Sequence, residues 1–294
     1  MDSRKAQLTV EEMQRKITRQ IAAVSENTSL EAQVLLSQAM DRSRTWIVSH
    51  PEIPLTAGQF KWLTNAVQQY LEGVPLPYVL RKWEFFGLSF QVSPDVLIPR
   101  PETELIVEQA LEWSQKGLRG GLEDLQIVDV GTGSGCIAIS LLVNLPQDAR
   151  FHRLIASDIS MDALKVARAN AEQHQVISRI SFLQANNLNN FQSKSLDLIC
   201  ANPPYIPRTK LGSLAVSQNE PLLALDGGPS GLDQIKPLLD QAAYCLRPGG
   251  LLLLEIEESQ GPIVIELSKA IFKTNQVEVL KDYSHRDRLL RIQL

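Results

Sequence analysis

From residue 126 to the end, short apolar runs alternate with stretches of helical period, and few architectures accommodate that alternation. The runs at 127–130, 154–158, 180–183, 196–201 and 251–256 read as strands. Segments at 136–142, 232–246 and 263–272 read as helices, and Ser160 reads as the cap of another, with Ala163, Leu164, Ala167 and Ala171 facing inward. Strands separated by helices have enough intervening chain to run parallel, so the expected core is a doubly wound α/β sheet, mostly parallel. The last two runs, 277–280 and 289–293, lie too close together for a helical crossover and are expected to be antiparallel. Pro248-Gly249-Gly250 reads as the stop signal of the 232–246 helix.

Residues 1–73 have a different character and read as all-helical. Three capping boxes mark three helix starts: Thr9 with Glu12, Thr28 with Glu31, and Thr56 with Gln59. Met13, Ile17, Ile21 and Val24 follow the first at helical spacing, and Phe60, Leu63, Val67 and Tyr70 follow the third, so both stripes are expected in a core. Residues 74–100 read as a linker, opened by Gly73-Val74-Pro75-Leu76-Pro77. Within it, aromatic-rich runs on either side of Gly87 predict a β-hairpin. It closes on Ile98-Pro99-Arg100-Pro101-Glu102-Thr103-Glu104, where Arg100 between two prolines is either the wall of a site or a loop charge. Residues 101–294 then form the sheet domain, entered by a helix with Ile106, Ala110 and Trp113 on one face.

A chain of 294 residues with 44% hydrophobic and 21% charged residues has the composition of an ordinary globular protein. Its formal charge of −4 gives no global attraction for nucleic acid. Cys136, Cys200 and Cys245 are scattered and form no C-x-x-C pair, which argues against a disulfide framework and against a metal site. The first residues are charged where a signal peptide would be apolar, and no run reaches membrane-spanning length. The expected location is the cytoplasm, with no membrane partner.

Two motifs carry chemistry. The first is Gly131-Thr132-Gly133-Ser134-Gly135, directly after a strand and before a helix, where bare backbone N–H groups and the helix N-terminus suit an anionic ligand. The glycine spacing lacks the last glycine of a dinucleotide fingerprint, which demotes NAD. At the end of the second strand, Asp158 either accepts from ribose hydroxyls or serves as a helix N-terminal charge. Past the third strand, Asn186 and Asn187 either meet an adenine edge or make a turn. The second motif, Asn202-Pro203-Pro204-Tyr205, ends the fourth strand. Two prolines remove two donors and stiffen the chain, which leaves the Asn202 side-chain oxygen and the Pro203 carbonyl as neighbouring acceptors beside the Tyr205 ring. That trio suits a planar NH2 group, although a bare Pro-Pro also serves as a plain strand-ending turn. A nucleoside cofactor across the strand ends, with an amide-reading corner beside it, is the layout of S-adenosylmethionine methyltransferases.

The Asn202-Pro203-Pro204-Tyr205 corner resembles that of the amino-methyltransferases. The 98–104 segment, the helical N-terminal region, Asn219-Glu220-Pro221 and Leu225-Asp226-Gly227-Gly228 together resemble one branch, the HemK/PrmC family of release factor glutamine N5-methyltransferases. The resemblance covers nearly the whole chain. It implies a class I S-adenosylmethionine methyltransferase with a Rossmann-like sheet of seven strands, the last antiparallel, preceded by a helical substrate-docking domain and a hairpin linker. It implies that Gly131, Thr132, Gly133, Ser134 and Gly135 hold the methionine part of the cofactor, Asp158 the ribose, and Asn186 or Asn187 the adenine surroundings. Asn202 would stand between cofactor and substrate, and Asn202, Pro203, Pro204 and Tyr205 would bind the glutamine, with Asn202, Pro203 and Tyr205 acting in catalysis. The implied partner is a class-1 peptide chain release factor, met by a monomer without direct nucleic-acid contact. The competing readings are a nucleic-acid amino-methyltransferase that flips a base onto the same corner and a non-catalytic binder that keeps the fold.

Overall fold

A computed structural model describes residues 8–119, 125–146 and 153–294, so the charged N-terminal residues 1–5 lie outside the described residues. The chain divides into two compact units, Met1–Arg81 and Lys82–Leu294.

The first unit is helical: α1 (Val10–Ile21), α2 (Thr28–Met40), α3 (Arg44–Ser49), α4 (Ala57–Leu71) and α5 (Leu76–Leu80). Thr9 opens α1 with a complete capping box, its hydroxyl accepting from the Glu12 N–H at 3.3 Å while Glu12 accepts from the Thr9 N–H at 2.9 Å. Thr56 and Gln59 repeat the device at α4. The box expected at Thr28 does not form. Asn27 stands at the N-cap without a side-chain bond, Thr28 is already helical, and the Glu31 carboxylate instead accepts from the Tyr70 hydroxyl at 2.9 Å. Met13, Ile17, Ile21, Leu35, Leu36, Ile47, Leu63 and Val67 make the core. Val24 lies past the end of α1 and is exposed, and Phe60 is exposed with the Lys16 ammonium 5.1 Å from its ring centre. Both therefore leave the core predicted from their spacing. Helix α5 lies within the stretch read as linker, with Pro77 in its first turn, where a missing N–H costs nothing.

The second unit opens with the hairpin of β1 (Lys82–Phe85) and β2 (Leu88–Gln91). Phe86 and Gly87 both have positive φ, the signature of a tight type I′ turn, and the Phe86 N–H donates to Glu104 Oε1 at 2.8 Å. After α6 (Glu104–Arg119) come β3 (Gln126–Val130), α7 (Cys136–Asn144), β4 (Arg153–Asp158), α8 (Met161–Gln173), β5 (Ile180–Gln184) and β6 (Leu196–Ala201). The chain ends through α9 (Arg208–Leu211), α10 (Ile235–Cys245), β7 (Leu246–Glu255), α11 (Gly261–Phe272), β8 (Val277–Lys281) and β9 (Asp287–Gln293). Seven strands form one sheet in the order β5-β4-β3-β6-β7-β9-β8; the first five run parallel, and β9 is antiparallel to both its neighbours. Strand residues alternate between the two faces. Leu198, Cys200, Leu251 and Leu253 join one core cluster with Ile106 and Ile137, and Ile199, Ala201, Leu252 and Leu254 join the other with Leu238 and Val264. Burial on both faces is why these strands are apolar throughout.

In the sheet unit, the start of β7 also differs from its reading. The helix before β7 ends at Cys245, and Arg247-Pro248-Gly249-Gly250 belongs to the strand, at an irregularity in its pairing with β6. A bulge tolerates a proline that a regular ladder would reject. Among the described residues, no helix is long and apolar enough to cross a membrane.

Candidate active site

After β3 the chain turns one way to β4 and β5; with β6 it resumes on the other side of β3. The C-terminal ends of β3 and β6 thus flank a topological switch point, where an open α/β sheet leaves a crevice. Register puts Val130 opposite Ala201, so the glycine turn and the Asn-Pro-Pro-Tyr corner leave the sheet side by side. A Cβ on Gly131 would stand 4.0 Å from the Asn202 carbonyl oxygen. A cavity of about 540 Å³ opens between them. Of the residues singled out from sequence, it is lined by Gly131, Thr132, Gly133, Ser134, Asp158 and Asn186, and by Asn187, Asn202, Pro203 and Pro204. Gly135 and Tyr205 do not line it.

The glycine turn is held from behind. Asp129, fully buried, accepts from the Thr132 hydroxyl at 2.6 Å and the Ala138 N–H at 3.3 Å, both on Oδ2, and its Oδ1 has no partner. Burial pushes its carboxyl up to about 7. Gly131, Gly133 and Gly135 all have positive φ. Gly133 faces open space, whereas a Cβ on Gly135 would meet Ile139 at 2.9 Å and Ala167 at 3.2 Å. Gly133 therefore bares backbone to the cavity, and Gly135 lets α7 pack closely. Asp158 Oδ2 accepts from the Gly133 N–H and Oδ1 from the Ser160 N–H, each at 2.9 Å, tying the end of β4 to the turn. Burial raises its carboxyl above the usual range. Each oxygen keeps a second lone pair for a hydroxyl donor. The Ala185 N–H donates to the Asp158 carbonyl at 3.0 Å, which brings Asn186 and Asn187 to the same rim.

The opposite wall is the corner. The Asn202 amide nitrogen donates to the Thr103 hydroxyl at 3.1 Å, and that hydroxyl donates to Glu255 Oε2 at 2.7 Å. The Tyr205 hydroxyl donates to Glu255 Oε1 at 3.1 Å. Burial raises the carboxyl of Glu255 and, together with Glu255, the phenol of Tyr205. Among the described residues, nothing donates to the Asn202 side-chain oxygen or to the Pro203 carbonyl. Tyr205 thus braces the corner from inside, where the sequence placed its ring against the substrate. Gly227 and Gly231 press on its backbone, since a Cβ on either would come within 2.8 Å and 2.4 Å of Tyr205 main-chain atoms respectively. Arg100 does line the cavity, paired with the buried Glu220, whose other oxygen accepts from the Ile98 N–H at 3.0 Å. Exposed Leu222, Leu223 and Ile159 add apolar surface to the lining.

This wall offers a donor-rich group two acceptors and no nucleophile. Cys136 lines the cavity, but burial and Asp129 push its thiol up to about 12, so it stays protonated.

Comparison with known proteins gives this geometry a context. Residues 12–80 match the family described as PrmC N-terminal domain, and residues 116–219 match the methyltransferase small domain. A release factor glutamine methyltransferase of Moorella thermoacetica is 42% identical over 276 residues, 92% of this chain and 93% of the relative. The chain belongs to the release factor glutamine methyltransferase family. Another release factor glutamine methyltransferase, from Coxiella burnetii, is 38% identical over 90% of this chain and 91% of its own length. Among solved structures, the hMettl16 catalytic domain in complex with an RNA hairpin superposes with a TM-score of 0.52 at 15% identity, covering 79% of this chain and 80% of that one, and shows the fold alone.

As a member of this methyltransferase family the enzyme uses S-adenosylmethionine, and its residues fit that group: a Cβ-free turn before a helix N-terminus for the carboxylate, and an acceptor at the end of β4 for hydroxyls. Sequence reasoning passed over Thr103, Asp129 and Glu255 as site residues. The signal for Glu255 was visible: a lone acid closing the run Leu251-Leu252-Leu253-Leu254 has no place in a buried strand unless something pairs with it.

Proposed function

We propose that this enzyme transfers the methyl group of S-adenosylmethionine to the side-chain amide nitrogen of the glutamine in the Gly-Gly-Gln motif of class-1 peptide chain release factors, and so modulates translation termination. The observation that carries the reading is the state of Asn202. Its NH2 is committed to Thr103, which leaves its oxygen and the Pro203 carbonyl as unoccupied acceptors on the wall of the cavity that the glycine turn also lines.

An amide nitrogen is a weak nucleophile because its lone pair is delocalised into the carbonyl. Two fixed acceptors, each taking one N–H, aim that nitrogen and remove its rotational freedom. Both interactions strengthen as the nitrogen becomes positive, so they favour the transition state over the ground state. S-adenosylmethionine, when bound, supplies an electrophilic methyl group. The surplus proton on the product nitrogen then passes to solvent, and no side chain has to act as a strong base. In this reading Gly131 to Gly135, Asp158, Asn186 and Asn187 hold the cofactor, Asn202 and Pro203 grip the amide, and Pro204 and Tyr205 keep the corner rigid. Residues 1–73 are the docking domain for the whole release factor, 74–100 the linker, and 101–294 the catalytic domain. The enzyme works as a monomer in the cytoplasm, where its substrate acts.

The nucleic-acid alternative is set aside, because relatives matched over nine-tenths of their length are release factor glutamine methyltransferases. The test is transfer of labelled methyl from S-adenosylmethionine to a purified class-1 release factor, beside the same factor with the motif glutamine changed to alanine. Label on the first alone is expected. Equal label on both, or none on either with the cofactor bound, overturns the reading.

A further inference from the structure

With Glu255 ionised, the hydrogen bonds behind Asn202 have only one direction. Glu255 is buried at 1% exposure and accepts on both oxygens, from Thr103 at 2.7 Å and from Tyr205 at 3.1 Å. A threonine hydroxyl has a single proton, and here it goes to Glu255. What Thr103 presents to Asn202 is therefore a lone pair, and only the NH2 end of the Asn202 amide can meet it, at 3.1 Å. An inverted amide would set oxygen against oxygen at Thr103 and turn its NH2 into the cavity.

Orientation decides what the cavity accepts. With Oδ1 facing in, beside the Pro203 carbonyl, the wall consists of acceptors and suits a substrate NH2. With NH2 facing in, it would suit a carbonyl or carboxylate oxygen, and the nitrogen to be methylated would lose one of its two holds. We propose that Thr103 and Glu255 are positioning residues that lock the Asn202 amide with its oxygen toward the substrate, and that this lock makes the site select a glutamine amide over a glutamate carboxylate. The inference rests on the proposed glutamine methylation. The lock joins two distant stretches of the sheet unit: Thr103 follows the Pro99-Arg100-Pro101 loop, and Glu255 closes β7.

The experiment compares Thr103→Val, which keeps the shape and removes the hydroxyl, with Thr103→Ser, which keeps the hydroxyl, and with Glu255→Gln, which keeps the shape and removes the obligatory double acceptor. Thr103→Val is expected to lower kcat on a class-1 release factor by about 10- to 100-fold, with KM for S-adenosylmethionine unchanged, and Thr103→Ser to restore it. A release factor carrying Gly-Gly-Glu, used as a competitor, should inhibit Thr103→Val relatively better than wild type. Nuclear magnetic resonance with 15N-asparagine reads the lock without turnover: the Asn202 NH2 should be protected from solvent exchange in wild type and Thr103→Ser and unprotected in Thr103→Val. Should Thr103→Val fail to fold, Glu255→Gln is expected to show the same loss of kcat and of protection. Wild-type kcat and an unchanged glutamine-to-glutamate preference in the folded variants would overturn the proposal, as would an Asn202 NH2 unprotected in wild type. Loss of activity in Thr103→Ser equal to that in Thr103→Val would also overturn it, by showing a packing role. Absence of methylation by wild type counts against the proposed function, and the resonance measurement still decides the lock.

Discussion

The two units bury different kinds of residue. Among the described residues every polar or charged residue that is buried lies in the sheet unit, and Thr103, Asp129, Thr132, Ser134, Asp158, Glu220 and Glu255 stand in or directly behind the cavity wall. The buried core of the helical unit is apolar, and its main polar tie, Tyr70 to Glu31, is only part-buried. A buried polar group costs free energy until it is paired, so a fold tolerates such groups where they are needed to place other groups. The helical unit is built for packing, and the sheet unit gives up some packing for a cavity with fixed acceptors. Mutations should therefore separate stability from chemistry along the same line.

The largest expected effect is on stability alone. Leu35 is fully buried in the helical core, and Leu35→Ala should cost about 2–5 kcal/mol by lost burial and the cavity left behind. Denaturant melts followed by fluorescence would show it, with kcat per folded molecule on a short Gly-Gly-Gln peptide unchanged. A fall in kcat with stability intact would break the division of labour. Asn202→Ala should do the opposite: a loss of roughly 10²–10³ in kcat, equivalent to about 2.7–4 kcal/mol in the barrier, with a melting temperature near that of wild type. Near wild-type methylation by this variant would remove Asn202 from its assigned role.

The pH response should also differ between units. The Asp129 carboxyl is raised from an ordinary 3.8 to about 7, so the folded protein takes up a proton before the unfolded chain does as pH falls. Stability from this group is complete below the unfolded value and is lost as pH rises toward 7, with a slope of up to about 1.4 kcal/mol per pH unit. Tyr70 is raised from 10.0 to about 12 by burial and by Glu31, so the helical unit loses stability only as pH climbs from about 10 to about 12. Hydrogen exchange resolved by unit across pH 4–8 tests this, and Asp129→Asn should flatten the sheet unit's response. A pH 4–7 dependence confined to the helical unit would contradict the contrast.

What could be read in the sequence follows the same physics. The glycine turn and the Asn-Pro-Pro-Tyr corner were legible because their effects are local: missing Cβ atoms, missing N–H donors and fixed φ act within a few residues. Strand alternation was legible because burial on both faces writes itself as continuous apolar runs. Thr103 and Glu255 escaped notice because they reach Asn202 and each other across 99 and 152 residues, and no window of sequence contains that meeting. Pro248-Gly249-Gly250 misled for the opposite reason. Its local signal is that of a break, but β6 and the chain terminus pair around it, the Gly249 N–H donating to the Leu294 carbonyl at 2.8 Å.

The smallest expected effect tests local reading against tertiary context within the helical unit. Thr9 and Thr28 carry the same Thr-x-x-Glu signal, yet only Thr9 caps a helix. At Thr9, both halves of the box are made, so Thr9→Ala leaves a backbone donor of the first turn without its partner and should cost about 1 kcal/mol. At Thr28 the residue is already inside α2, and Glu31 is committed to Tyr70, so Thr28→Ala removes no cap and should stay within about 0.5 kcal/mol of wild type. Alanine also has the higher helix propensity, which pushes the second change toward stabilisation. Paired chemical denaturation of the two variants decides it. Equal losses would mean that Thr28 caps α2 in solution and that Glu31 turns back from Tyr70 to complete the box; a loss at Thr9 alone means that the distant tyrosine outcompetes the local signal.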